Sequence, residues 1–122
     1  MMETINLRDK LATFDETWAP KIIGALNGQH VKLAKLEGEF VWHAHEHEDE
    51  LFLVVEGEIE IHFRDRVVTL GVGELCIVPR GVEHKPVARQ PASVLLFEPA
   101  GTVNTGEADD QRRLESDKLE RI

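Results

Sequence analysis

The sequence predicts an all-β protein, a single jelly-roll barrel with a short helix before it and a short extension after it. Three observations predict this. Short apolar or alternating runs are broken every several residues by Gly, Pro or Asn, the pattern of strands in a sandwich or barrel. The length, 122 residues, fits one domain with one core. Two histidine-bearing segments, His43 to Glu50 and Gly73 to His84, lie inside strand-like sequence.

The parts follow in order. Residues 1–20 form a segment packed on the barrel, 21–100 the barrel, and 101–122 a tail. Asn6 is placed to cap a helix through Leu11, with Leu7 and Leu11 on one face. Phe14 and Trp18 anchor the next stretch by ordinary core packing. Lys21–Leu26 and Gln29–Leu36 flank Asn27-Gly28, a dipeptide suited to the two positive-φ positions of a type I′ hairpin turn. Glu37-Gly38-Glu39 reads as a break.

Glu50–Glu56 and Glu58–Phe63 read as strands paired around Gly57. The second alternates, with Ile59, Ile61 and Phe63 on one face and Glu58, Glu60 and His62 towards solvent. Arg66–Leu70 and Glu74–Val78 follow, the latter ended by Pro79. His84–Ala88 and Ser93–Glu98 close the set as two strands, with Gln90-Pro91 between them. The tail is a loop followed by a charged stretch, either a short helix on the barrel or a mobile end, and no chemistry is assigned to it. Leu51–Val55 and Val94–Phe97 are apolar on both faces, so something covers the outer one. The N-terminal segment or a second copy of the chain can do so, and a homodimer is the preferred expectation.

Composition narrows the function. Apolar residues make up 42% and charged residues 30%, a globular balance. There are 23 acidic and 14 basic residues, for a net charge of -9. That argues against nucleic acid or an anionic membrane as partner, since both need a basic face. The longest apolar run, Leu51–Val55, is too short to span a bilayer. The charged N-terminus lacks a signal-peptide core, so a cytoplasmic protein is expected. Cys76 is the single cysteine, which forbids an internal disulfide; it reads as a buried, inert thiol.

Residues two apart in a strand point to one face. His43 and His45 therefore sit side by side. Glu50 has the opposite parity and joins them only if the polar stretch Glu46–Asp49 bends. His84 arrives from the far side, after Pro79-Arg80-Gly81. Three imidazoles and a carboxylate suit Zn²⁺, Fe²⁺, Mn²⁺, Ni²⁺, Co²⁺ or Cu²⁺. His47 shares the parity of His43 and His45, so His45, His47, Glu50 and His84 form a rival set. Arg80 is placed to meet an anionic substrate or to sit in solvent.

These residues resemble the cupin superfamily. Its first motif is Gly, His-x-His, Glu, Gly. Here Gly38 precedes His43-Ala44-His45 by four residues, one fewer than usual, Glu50 follows after four, and Gly57 after six. In the second motif, Gly73, Pro79-Arg80-Gly81 and His84 match every gap, while Ala88 stands where the pattern has Asn. The resemblance implies a small single-domain cupin, a double-stranded β-helix, with metal ligands at His43, His45, Glu50 and His84. It is similar to the small stand-alone cupins grouped with sugar-phosphate isomerases.

Two functions follow as expectations. One is a mononuclear metalloenzyme acting on a small polar molecule, by dioxygenase or by sugar-phosphate-isomerase-like or lyase chemistry, with Glu50 both ligating and accepting a proton. The other is a non-catalytic module that binds or senses a small ligand.

Overall fold

The structure is a computed structural model and describes residues 2–122. One short helix, α1 (Leu7–Leu11), precedes seven strands: β1 (Lys21–Leu26), β2 (Gln29–Glu39), β3 (Glu50–Glu56), β4 (Glu58–Phe63), β5 (Val67–Gly71), β6 (Leu75–Val78) and β7 (His84–Pro99). Asn6 caps α1, its Oδ1 accepting from the Asp9 N–H at 2.9 Å. Asn27 and Gly28 both take positive φ, 51° and 77°, and turn β1 into β2.

All pairings between these strands are antiparallel. The strands run β1-β2-β7-β3-β6, and β4 lies between β7 and β5. β7 is the shared spine. Its first part pairs with β4, from His84↔Phe63 to Val87↔Glu60, and its second part pairs with β3, from Val94↔Val54 to Phe97↔Leu51. The strands thus curl into a barrel around Leu36, Phe40, Phe52, Val54, Ile59, Ile61, Val94 and Leu96. Apart from Phe40, which follows β2, these are the inward members of alternating strands, as the period of two requires.

Three boundaries differ from the sequence reading, and all meet at one corner. β3 and β4 do not pair with each other. A single residue cannot close a hairpin between them. Gly57, at φ 81°, instead carries the chain from one side of the barrel to the other. A Cβ there would lie 2.9 Å from the Pro91 carbonyl oxygen. Opposite it, Gln90-Pro91 separates no strands: β7 runs through as 16 residues and changes partner there. Proline fits at such a change of partner because it has no N–H to donate. β2 likewise runs on through Gly38, whose φ of 83° absorbs a register shift.

The outer face is covered in part. Leu11 and Phe14 bury Leu33 and pack with Val55, Leu95 and the tail's Ile122. The tail is neither a regular helix nor free. Among the described residues it holds one 3₁₀ turn, Ser116–Lys118, and its end pairs with β1, where Ile22 N–H donates to Glu120 O at 2.8 Å. No described helix is long and apolar enough to cross a membrane.

Candidate metal centre

The site forms where the ends of two strands and an extended segment meet. His43 and His45 lie in that segment, between β2 and β3. Backbone bonds stitch it to the Pro79–His84 bend: His43 N–H donates to His84 O at 3.0 Å, His84 N–H to His43 O at 2.9 Å, and Gly81 N–H to His45 O at 2.9 Å. The two motifs therefore form one unit. The chain turns through exposed Glu46 and His47 and half-buried Glu48, then re-enters as β3, whose first residue is Glu50. This is the bend that Glu50 needed to change face. His84 opens β7.

His43, His45, Glu50 and His84 are all buried, and their ligand atoms lie within 4.8 Å of one another. Glu50 Oε1 stands 3.3 Å from His45 Nε2 and 3.4 Å from His84 Nε2. The Nδ1 of His43 meets the Val41 carbonyl at 2.9 Å, and that of His84 the Val82 carbonyl at 3.0 Å. A carbonyl only accepts, so both Nδ1 atoms carry the proton and both Nε2 atoms keep a lone pair.

This arrangement fits a metal ion. Both ring nitrogens of His45, the His84 Nε2 and Glu50 Oε1 are buried without a hydrogen-bond partner. Such orphans cost about 1–3 kcal/mol each when unfilled, and here His84 Nε2, Glu50 Oε1 and one of the two His45 nitrogens lie together in the four-residue cluster. A transition ion coordinated by imidazole and carboxylate would satisfy them together.

Electrostatics prepare the ligands. Burial, and after it the neighbouring His84, holds His43 down at about 4, so the ring is neutral near pH 7. Burial alone would raise Glu50, but the adjoining His45, His84 and Glu98 side chains outweigh it and keep the carboxyl well below its usual range. Glu98 goes the other way: burial, then the facing Glu50, push it well up. Lys32 Nζ donates to Glu98 Oε1 at 3.0 Å, with side chains only 1% and 2% exposed. A buried, hydrogen-bonded Lys32–Glu98 pair thus backs the ligand Glu50.

A cavity of about 40 Å³, measured for the centres of water-sized molecules, adjoins the cluster. That is room for about three waters. His43, Glu50 and Glu98 border it, and its walls include Trp18, Leu36, Phe40, Phe52 and Leu96. Trp18 stacks on Phe40 with ring centroids 4.6 Å apart, and its Nε1–H is satisfied by Glu37 O at 3.0 Å. The tail supplies Asn104 to the wall. Asn104 holds that stretch closed, donating to Arg112 O at 2.9 Å and accepting from Leu114 N–H at 2.7 Å.

Other candidates fall outside. The His47 side chain is 79% exposed and faces Glu46, so the rival set does not assemble. Arg80 is tied to Asp49 by its backbone and guanidinium, is exposed, and does not border the cavity. His62 is half-buried on the outer face against Glu60 at 2.7 Å. Cys76 is half-buried rather than buried, and burial pushes its thiol up. Sequence reasoning passed over Lys32, Glu98 and Asn104 and took Trp18 as plain core. Strand parity was the available signal, since Lys32 shares a face with Ala34, and Glu98 with Leu96.

Comparison with known proteins agrees with this geometry. The family model described as Cupin domain matches residues 29–98. The crystal structure of a cupin-2 domain containing protein from Shewanella frigidimarina is 46% identical with a TM-score of 0.77, covering 78% of this chain and 93% of that one. Protein NMB1881 from Neisseria meningitidis is 38% identical with a TM-score of 0.73, covering 80% and 99%. The uncharacterized protein YdbB of Bacillus subtilis is 39% identical over 64 residues, which span 52% of this chain and 57% of that protein.

Proposed function

This chain belongs to the cupin family, and on that premise we propose that it is a mononuclear metal-dependent enzyme acting on a small molecule. One observation carries the reading: unpartnered buried nitrogens and a carboxylate oxygen converge on a point beside a cavity that His43 and Glu50 also border. A molecule in that cavity reaches the ion's position.

When bound, a divalent transition ion supplies Lewis acidity toward an oxygen of that molecule, or a place to activate O₂ beside it. His43 and His84 are held by the Val41 and Val82 carbonyls to present Nε2, and His45 completes the imidazole set. Glu50 brings negative charge to the ion and borders the cavity, so it is placed to take a proton from the bound molecule. Trp18, Phe40 and Phe52 exclude water from the walls.

Oxygen uptake separates the two chemistries. Iron-loaded protein that consumes O₂ with one member of a small-molecule panel, while zinc-loaded protein and a His84→Ala variant do not, supports a dioxygenase. Turnover without O₂ in the zinc- or manganese-loaded protein supports isomerase or lyase chemistry. Absence of turnover in every loaded form would sink the enzyme reading. It would favour a binding or sensor module, which the scarcity of acid–base groups on the cavity wall also fits.

A homodimer completes the proposal. Leu75 and Ile77 on the edge strand β6 are 53% and 57% exposed. In register beside them lie half-buried Leu53, Leu51 and Phe97. α1 does not reach this part of the face, and a second copy would remove it from water.

A further inference from the structure

Ligand pockets commonly enclose about 300–1,000 Å³, and the space beside the metal position is about 40 Å³. Part of its wall therefore moves when a substrate enters. Most of the wall cannot move alone. Ala34, Leu36, Phe52, Val94 and Leu96 belong to β2, β3 and β7, which are laddered to one another. Trp18 is tied to β2, its N–H donating to Lys35 O at 2.8 Å.

Asn104 is the exception. It opens the loop 104–114, which makes no backbone hydrogen bond to the barrel among the described residues. The chain on either side is pinned to the β1–β2 hairpin: Ala100 N–H donates to Gly28 O at 2.9 Å, and Ile22 N–H to Glu120 O at 2.8 Å. Between these pins the loop closes on itself. Asn104 Nδ2 donates to Arg112 O at 2.9 Å, Asn104 Oδ1 accepts from the Leu114 N–H at 2.7 Å, and Arg113 Nη1 donates to Gly106 O at 3.1 Å. A compact loop packed by its own side chains is an Ω-loop and can move as one body.

Its seat on the barrel is slight. Among the described residues two side-chain bonds cross: Arg112 Nη1 donates to Glu39 O at 3.1 Å, and Asn104 Nδ2 to Trp18 O at 3.5 Å. The Arg112 guanidinium also lies over the Phe40 ring at 4.7 Å and the Trp18 ring at 5.9 Å, the aromatic pair of the cavity wall. Thr105 Oγ1 is buried without a partner, so the closed seat leaves unmet a hydroxyl that opening gives to water.

We propose that residues 104–114 form a lid, latched by Arg112 on Phe40, Trp18 and the Glu39 carbonyl, that swings away as one body to admit a small molecule to the metal position. This deepens the metal-centre reading and rests on it for what the admitted molecule meets.

The test is hydrogen exchange on metal-free protein. It is read at the Gly106, Ala108, Arg113 and Leu114 amides, all hydrogen-bonded within the tail, and at the amides of β2 and β7. The four loop amides are expected to share one opening rate, at least about a hundredfold above that of the strands. Arg112→Ala should speed them at least about tenfold, the worth of one charge-assisted hydrogen bond, and leave the strands unchanged. With Trp42→Phe, Trp18 is the one tryptophan left, and acrylamide, a small neutral quencher, should reach it more readily once Arg112→Ala is added. Should Arg112→Ala not fold, the wild-type rates decide alone. Loop amides as slow as the strands, loop amides with unrelated rates, an Arg112→Ala effect shared with the strands, or unchanged quenching would overturn the proposal. Zinc uptake by the same samples keeps the two readings apart. One fast loop rate in protein that takes up no zinc would sink the metal reading alone. Zinc uptake with a loop as protected as the strands would sink the lid alone.

Discussion

His43 shows how burial turns an ordinary histidine into a ready ligand. Its ring sits at about 4 rather than the usual value near 6.5, so the unfolded chain takes up a proton first as pH falls. The stability that His43 contributes is therefore complete above about pH 6.5 and lost as pH falls toward 4. The size is on the order of 3 kcal/mol, from 1.36 kcal/mol per unit. Urea melts of metal-free protein at pH 7 and pH 4.5 should show most of that loss. Removing His43 by His43→Phe should flatten the dependence in this window, and an unchanged slope would contradict the assignment. The Lys32–Glu98 pair makes a second case. Lys32→Met leaves the buried Glu98 carboxyl group without its hydrogen-bond donor and should cost about 1–3 kcal/mol, read from the same melts. The ligands were legible because their spacing is local to two motifs. Lys32 and Glu98 were not, because a charged residue in a strand reads as outward until its partner, 66 positions away, is seen.

At the scale of elements, the corner built by Gly57 and Pro91 decides the topology. The sequence shows a glycine between two strands and offers a hairpin. Only the pairing of both strands with β7 reveals that the chain changes sides instead. Gly57→Ala places a Cβ 2.9 Å from the Pro91 carbonyl oxygen at φ 81°. Thermal melting should show a loss of at least about 1–3 kcal/mol; a neutral result would mean the corner is not tightly packed. The tail was the least legible element. Its residues carry no strand or helix period, yet Thr102 and Thr105 are fully buried, and Gly106 takes φ 57° where a Cβ would meet the Ala44 carbonyl. Ala44 lies between His43 and His45. Gly106→Ala should therefore lower stability and also weaken metal uptake, a coupling that a mobile tail would not produce.

For the whole molecule, the barrel and its apolar interior were readable from alternation and turns, because the period of two is a direct consequence of strand geometry. The extent of the uncovered outer face was not, because it depends on where α1 stops. Sedimentation at micromolar concentration should show a dimer. Leu75→Lys with Ile77→Lys should convert it to a monomer without unfolding it, and a wild-type monomer would remove the dimer from the account.

The central claim is that four buried side chains hold one metal ion per chain. Elemental analysis by plasma mass spectrometry on untagged protein, reloaded with Zn²⁺ or Fe²⁺ and desalted, tests it most directly. The account predicts about one equivalent per chain, lost in a His43→Ala, His84→Ala double variant and kept in His47→Ala. Metal retained by the double variant, or absent from the reloaded wild type, would contradict it.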